Sequence, residues 1–214
     1  MAKVQPGWLH VYLITDRSLL PGDRFLEAVE AALEGGIRDL QVREKDLSPD
    51  RLFALALALR QMTRRYGARL YINDRVDVAL MVDADGVHLP AAGLPPAEVK
   101  TRHPHLLVGV STHSLAGAKR AQEAGADFIT FGPVFDTPSK RPYGPPQGLD
   151  HLAAAAGAVQ IPALALGGVD LNHLPAVRGH GAHGAALIRG IWASPDIKET
   201  SKKFVQAFVQ GDCS

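Results

Sequence analysis

The chain has 214 residues, a net charge of +1 and 46% hydrophobic residues. That length suits one large α/β domain that folds without staples, and the near-neutral charge gives no electrostatic case for a nucleic-acid partner. No uncharged stretch is long enough to span a bilayer, which excludes the membrane as a partner at this level. The single cysteine, Cys213, has no intramolecular partner and sits in what reads as a short C-terminal tail. Residues 1–6 lack the apolar run of a signal peptide, so a cytoplasmic location is expected.

Taken in chain order, the sequence repeats one unit. His10–Thr15 is a strand candidate, and Asp23–Glu34 follows with apolar residues at helical spacing until Gly35-Gly36 stops it. Asp39–Val42 is the second strand. Ser48 is placed to cap a helix reaching about Tyr66. The strands then continue at Arg69–Ile72, Val87–Leu89, Leu106–Val110, Phe128–Phe131, Ala163–Leu166 and Ala185–Ile188, with helical segments between most of them. Strict alternation implies parallel strands joined by crossover helices. Eight units predict closure into a single (β/α)8 TIM barrel occupying residues 1–214 as one domain. An internal echo supports this. Residues 35–40, 83–87, 124–128 and 181–185 share a Gly/Ala-rich pattern, and each precedes an even-numbered strand. The alternative, an open doubly wound sheet, lacks its Gly-x-Gly-x-x-Gly signature after the first strand. Residues 137–148 are Pro-rich and read as a long loop after the sixth strand.

In a barrel, residues just past the strand ends share one mouth. Here that mouth would collect Gln41, Arg43 and Lys45 from the second strand, and Asn73 and Asp74 from the third. The fifth strand adds Ser111 and His113. The sixth adds Thr137, Ser139 and Lys140 through its loop, and the last two add Gly167, Gly168 and Arg189. Together these make an anion site. The lysines supply point charges, Arg189 a bidentate fork, and the glycine pair lets backbone N–H groups approach a phosphate. Asp74 is a candidate Mg²⁺ ligand, thin unless substrate phosphates complete the shell. Each has a plainer reading too. Lys45 could pair with Glu44 or Asp46, Asn73-Asp74 could cap a helix over Arg75–Met81, Gly167-Gly168 could be a tight turn, and His113 could satisfy a backbone group. His88 reads as barrel packing.

At these residues the chain resembles the thiamine phosphate synthase/TenI family along nearly its whole length. The matching segments are YLITD (12–16), QVREK (41–45), INDRVDVAL (72–80), ADGVHLP (84–90), VGVSTHS (108–114), GADFITFGPVF (125–135), TPSK (137–140) and ALGGV (165–169). The resemblance implies small-molecule thiazole and pyrimidine phosphates as partners. It implies that Gln41, Lys45 and Asn73 meet a pyrimidine pyrophosphate, with Ser111 and Lys140 at its pyrophosphate. Thr137, Ser139 and Gly168 would meet a thiazole phosphate, and Asp74 would hold Mg²⁺. Lys45, Ser111 and Lys140 are thereby the catalytic candidates.

Two departures shift the expectation within the family. Synthases resemble G-V-H-L-G-Q-x-D after the fourth strand, with the aspartate as second metal ligand; here Gly93 takes that place and Pro90 replaces the second glycine. Arg189 stands where the family has a phosphate-binding serine. Both favour the TenI branch, a thiazole phosphate or thiamine phosphate binder with thiazole tautomerase as its activity. Yet the tautomerase histidine falls at Pro133, and QVREK and TPSK are synthase-like. An active synthase is the second reading and a non-catalytic accessory protein the third. The oligomeric state, homo-oligomer included, is left open.

Overall fold

In the computed structural model, residues 8–20, 24–138, 141 and 144–209 are described. The elements run β1 (Val11–Ile14), a 3-10 turn (Arg17–Leu19), α1 (Phe25–Glu34), β2 (Asp39–Val42), α2 (Pro49–Arg65), β3 (Arg69–Asn73), α3 (Val76–Met81) and β4 (Gly86–Leu89). They continue with α4 (Pro96–Arg102), β5 (Leu107–Thr112), α5 (Leu115–Glu123), β6 (Phe128–Phe131), α6 (Gly148–Gly157), β7 (Ala163–Leu166), α7 (Leu174–Gly179), β8 (Gly184–Leu187), α8 (Arg189–Trp192) and α9 (Ile197–Val209). All neighbouring strands pair in parallel, and β8 closes onto β1, with Val11 opposite Ala185. This is the (β/α)8 barrel expected from the alternation.

Strand alternation sorts the core into two layers. Outward residues such as Leu13, Leu40, Ile72, Val87, Val108 and Ile129 pack under the helices. Inward residues Tyr12, Ile14, Tyr71, Phe128, Leu164 and Ala186 fill the barrel above Trp8 and Leu9. Burying each large ring contributes about 3 kcal/mol. Space for those rings comes from Gly109, where a Cβ would press on the Phe128 ring and lie 2.7 Å from His88 Nδ1.

The sequence echo has a mechanical cause. Asp39, Asp85 and Asp127 open or immediately precede the even strands β2, β4 and β6, and each carboxylate accepts from a backbone N–H of the preceding odd-strand segment. Those donors are Leu9 at 3.2 Å, Leu70 at 2.8 Å and Val108 at 2.7 Å. In the fourth copy His183 replaces the aspartate and its Nε2 lies 2.6 Å from Trp8 O. These contacts tie down the end of the barrel opposite the mouth. Asp39 also takes two guanidinium contacts from Arg69, at 2.7 and 3.1 Å, and bonds from Trp8 Nε1 and Tyr71 Oη.

The sequence reading missed α9 as an element. It packs on α1 through an ion pair from Lys198 to Glu34 at 2.7 Å and buries Phe204 and Phe208. Ser48 precedes α2 but makes no side-chain cap, so the capping expectation is corrected in detail. Its hydroxyl engages the Asp50 carboxylate instead, which holds that group below its usual range. Among the described residues no helix is long and apolar enough to cross a membrane. Cys213 lies outside the described residues.

Candidate active site

The second strand presents a gradient toward the mouth: Gln41 is buried, Arg43 half-buried and Lys45 exposed. The plainer reading of Lys45 fails because Arg17 takes both neighbouring carboxylates. Its backbone N–H and Nε reach Glu44 Oε2 at 3.3 Å, and its Nη2 reaches Asp46 at 2.7 Å. Lys45 therefore keeps its charge unpaired among the described residues. Burial pushes the Glu44 carboxyl up from its ordinary value, against the lowering effect of Thr15 and Arg17. Thr15 Oγ1 in turn receives the Arg43 backbone N–H at 2.9 Å, which fixes how the chain leaves β2.

Asn73 ends β3 opposite His88 of β4. Asp74 follows with φ +63°, a left-handed conformation that a non-glycine residue adopts at a cost of about 1–2 kcal/mol. Its backbone N–H donates to His88 O at 2.9 Å, which compensates that cost. The helix-capping expectation is corrected: α3 is preceded by Arg75, without a side-chain cap, and the Asp74 side chain is exposed at the mouth.

The expected second carboxylate position is shaped against one. A Cβ on Gly93 would lie 2.7 Å from Pro90 Cδ and 3.1 Å from Pro90 O. Among the described residues no group of three His, Cys, Asp or Glu could hold a metal. The donor set thus does not form a protein-built Mg²⁺ cage; Asp74 alone offers a carboxylate there, and a hard cation would need several more oxygens. A cavity of about 340 Å³ opens beside Gly93 and is lined also by Ser111, His113 and Arg120.

Strand β5 runs two residues further than its sequence pattern suggests, so Ser111 is in the ladder, opposite Thr130, and points inward. His88 Nε2 lies 3.0 Å from Ser111 Oγ and 3.5 Å from Thr130 Oγ1. On its other side His88 Nδ1 lies 3.3 Å from Tyr12 Oη, which receives Gln41 Nε2 at 3.2 Å. Burial, reinforced by the charge of Arg43, pushes the His88 imidazole down to about 3, so the ring is neutral. Burial also holds the Tyr12 phenol well above its ordinary value. His88 therefore does more than the packing expected of it. Tyr12 escaped the sequence reading, and the hydrogen bonds of His88 went beyond it. The one signal available for either was a polar ring at an inward position of an otherwise apolar strand. His113 takes its plainer reading, with Nδ1 2.5 Å from Gly132 O.

The β6 and β7 exits are locked together. Val134 and Phe135 donate to Leu166 O and Gly167 O at 2.9 and 3.0 Å, and the Phe135 ring stacks on His173 at 3.9 Å. Gly167 and Gly168 have φ of +97° and +66°, and a Cβ on Gly168 would lie 2.6 Å from Asp136 O. Conformation and this close approach both require glycine, so the tight-turn reading holds alongside any phosphate role. Thr137 is half-buried in the same segment, while Arg189 opens α8 as an exposed side chain with no ion pair among the described residues. Ser139 and Lys140 lie outside the described residues.

Comparison with known proteins gives this mouth a context. The thiamine monophosphate synthase family model matches residues 11–191. A Geobacter sulfurreducens protein named "Putative thiamine-phosphate synthase" is 50% identical over 203 residues, covering 94% of both chains. A thiamine-phosphate synthase of Syntrophomonas wolfei is 38% identical, covering 92% of this chain and 94% of its own. The structure of a thiamine phosphate pyrophosphorylase from Pyrococcus furiosus superposes with a TM-score of 0.86 at 35% identity, covering 94% of this chain and 96% of that one. The relatives' names favour the synthase expectation over the TenI-type one. The chain belongs to the thiamine monophosphate synthase family.

Proposed function

We propose that the protein is a thiamine phosphate synthase, joining a pyrimidine methyl pyrophosphate to a thiazole phosphate. The observation that carries this reading is a mouth with unneutralised positive charge. Arg17 absorbs Glu44 and Asp46, which leaves Lys45 without an ion pair among the described residues, beside the half-buried Arg43. Such a site favours a departing polyanion, because fixed cations stabilise charge as it develops.

The carbon–oxygen bond to pyrophosphate breaks first, and its electron pair leaves with pyrophosphate. The thiazole nitrogen lone pair then forms the new carbon–nitrogen bond to the pyrimidine methylene. If the thiazole carries a carboxylate, it departs as carbon dioxide. Gln41 and Asn73 would hold the pyrimidine, and Lys45, Ser111 and Lys140 the pyrophosphate. Thr137, Ser139, Gly167 and Gly168 would hold the thiazole phosphate, with Arg189 and His113 at the rim. Holding both rings together supplies the alignment a two-substrate coupling needs. Asp74 is the residue that would meet Mg²⁺, with pyrophosphate oxygens completing its shell.

One observation favours the TenI-type reading instead: Gly93, with Pro90 packed against it, lacks the second carboxylate. Incubating the protein with both substrates, with and without Mg²⁺, separates the two. Thiamine phosphate and stoichiometric pyrophosphate are expected. Thiazole phosphate binding without product would move the protein to the TenI branch.

A further inference from the structure

A single hydrogen-bonded line crosses the barrel below the mouth: Gln41 to Tyr12, Tyr12 to His88, and His88 to Ser111, at 3.2, 3.3 and 3.0 Å. Its two ends are the residues assigned above to the pyrimidine and to the pyrophosphate. Its two middle members are buried rings, with Tyr12 fully buried and His88 exposed by only 2%.

Such a line uses the buried Tyr12 proton in one of two directions. Tyr12 has one proton. When its oxygen accepts from the Gln41 amide, that proton goes to His88 Nδ1. Nδ1 is then an acceptor, so the neutral ring carries its proton on Nε2 and donates to Ser111 Oγ. The Ser111 proton is left free for a ligand. At the far end, Gln41 has used one N–H inward and keeps its carbonyl oxygen as an acceptor beside its second N–H. Reversed, every bond flips: Ser111 donates to His88, and its oxygen faces the ligand, repelling an anion. Gln41 would then offer only N–H groups.

We propose that Tyr12 and His88 are positioning residues that fix the polarity of this line, so that Gln41 accepts from an amino group on the heterocycle while Ser111 donates to the pyrophosphate. The proposal rests on the synthase reading for the identity of the ligands. One internal wire then recognises both halves of the substrate, an N–H-bearing ring and an anionic leaving group. An analogue with an acceptor in place of the amino group loses the Gln41 carbonyl contact, and reversing the line to suit it would turn all three of its bonds in a closed interior. Thr130 sits beside the line as a second, longer neighbour of His88 Nε2, at 3.5 Å, and as an acceptor it is compatible with the same direction.

The direction can be read without turnover. In ¹⁵N-histidine-labelled protein, imidazole nitrogen shifts report the tautomer, and the His88 signal is identified by its loss in His88→Gln. The expected result is the neutral Nε2–H form; a neutral Nδ1–H form overturns the proposal. Inorganic pyrophosphate binding, measured by titration calorimetry, gives the second readout. Tyr12→Phe keeps the ring and removes the link, and should weaken pyrophosphate binding by about tenfold. Ser111→Ala should do at least as much, and adding Tyr12→Phe to it should change nothing further. Unchanged affinity in Tyr12→Phe, fully additive losses, or wild-type protein that binds no pyrophosphate would each overturn it. If the tautomer and the cycle hold while the two-substrate assay yields no product, the wire stands and the synthase reading falls.

Discussion

Lys45 owes its availability to a neighbour rather than to its own surroundings, because Arg17 holds the two carboxylates that would otherwise pair with it. Lys45→Ala should lower kcat/KM for the pyrimidine pyrophosphate by about a hundredfold. Stability should change by no more than about 0.5 kcal/mol, since the side chain is exposed, and a thermal melt checks this. His88 carries a different kind of prediction. Its folded value of about 3 lies below the ordinary 6.5, so the unfolded chain binds the extra proton more readily. The stabilisation is present above pH 6.5 and is lost progressively as pH falls toward 3. Denaturant titrations across that range should show a shallower acid loss in His88→Gln than in the wild type. Identical slopes would mean the burial of this ring does not govern acid stability.

At the scale of elements, the β4–α4 connection fixes the surroundings of the position expected to hold a second carboxylate. Pro90 and Gly93 form one steric unit, because a Cβ at 93 would press on the Pro90 ring at 2.7 Å. The family pattern has glycine at the first place and aspartate at the second, so the two exchanges belong together. Gly93→Asp alone should therefore lower the melting temperature and leave Mg²⁺ dependence little changed. Pro90→Gly with Gly93→Asp should relieve the clash and tighten Mg²⁺ binding in the presence of pyrophosphate, measured by calorimetry. Equal metal affinity in the single and double variants would show that Pro90 is not the obstacle. The β6 and β7 exits are another paired element. Backbone bonds and the Phe135–His173 stack join them, so the Thr137 segment and the glycine turn keep one mutual geometry.

Across the whole molecule, the barrel separates stability from chemistry. Asp39, Arg69, Trp8 and Tyr71 lock the end opposite the mouth, with Arg69 also 4.7 Å above the Trp8 ring. Removing the buried Asp39 carboxylate strips the acceptor from the Trp8 indole, the Tyr71 hydroxyl, the Leu9 N–H and the half-buried Arg69 guanidinium. Asp39→Ala should thus cost about 3–5 kcal/mol of unfolding free energy. KM should be unchanged where the protein remains folded, because the cluster meets the Tyr12–His88 line only through the edge contact of the Tyr71 and Tyr12 rings, with no hydrogen bond between them among the described residues. A melt and a kinetic comparison below the transition test both halves, and a changed KM would show that the two ends are coupled.

By itself the sequence determined the eight strands and their parallel order and named the candidates for the mouth, because two-residue and 3.6-residue periodicities are local properties and barrel closure follows from their count. The echo of Asp39, Asp85 and Asp127 was legible too, though its purpose was not: each aspartate bonds a backbone donor on a neighbouring strand segment. The tertiary structure decided which charges stay free, since Arg17 meets Glu44 27 residues away. It decided that His88 stands between Tyr12 and Ser111, which lie 76 and 23 positions from it in sequence. It also decided that Gly93 answers to Pro90, a contact of backbone and ring that no composition or periodicity records. Hydrogen-bond partners and steric contacts depend on where the closed sheet brings distant residues, and that placement is a property of the barrel as a whole.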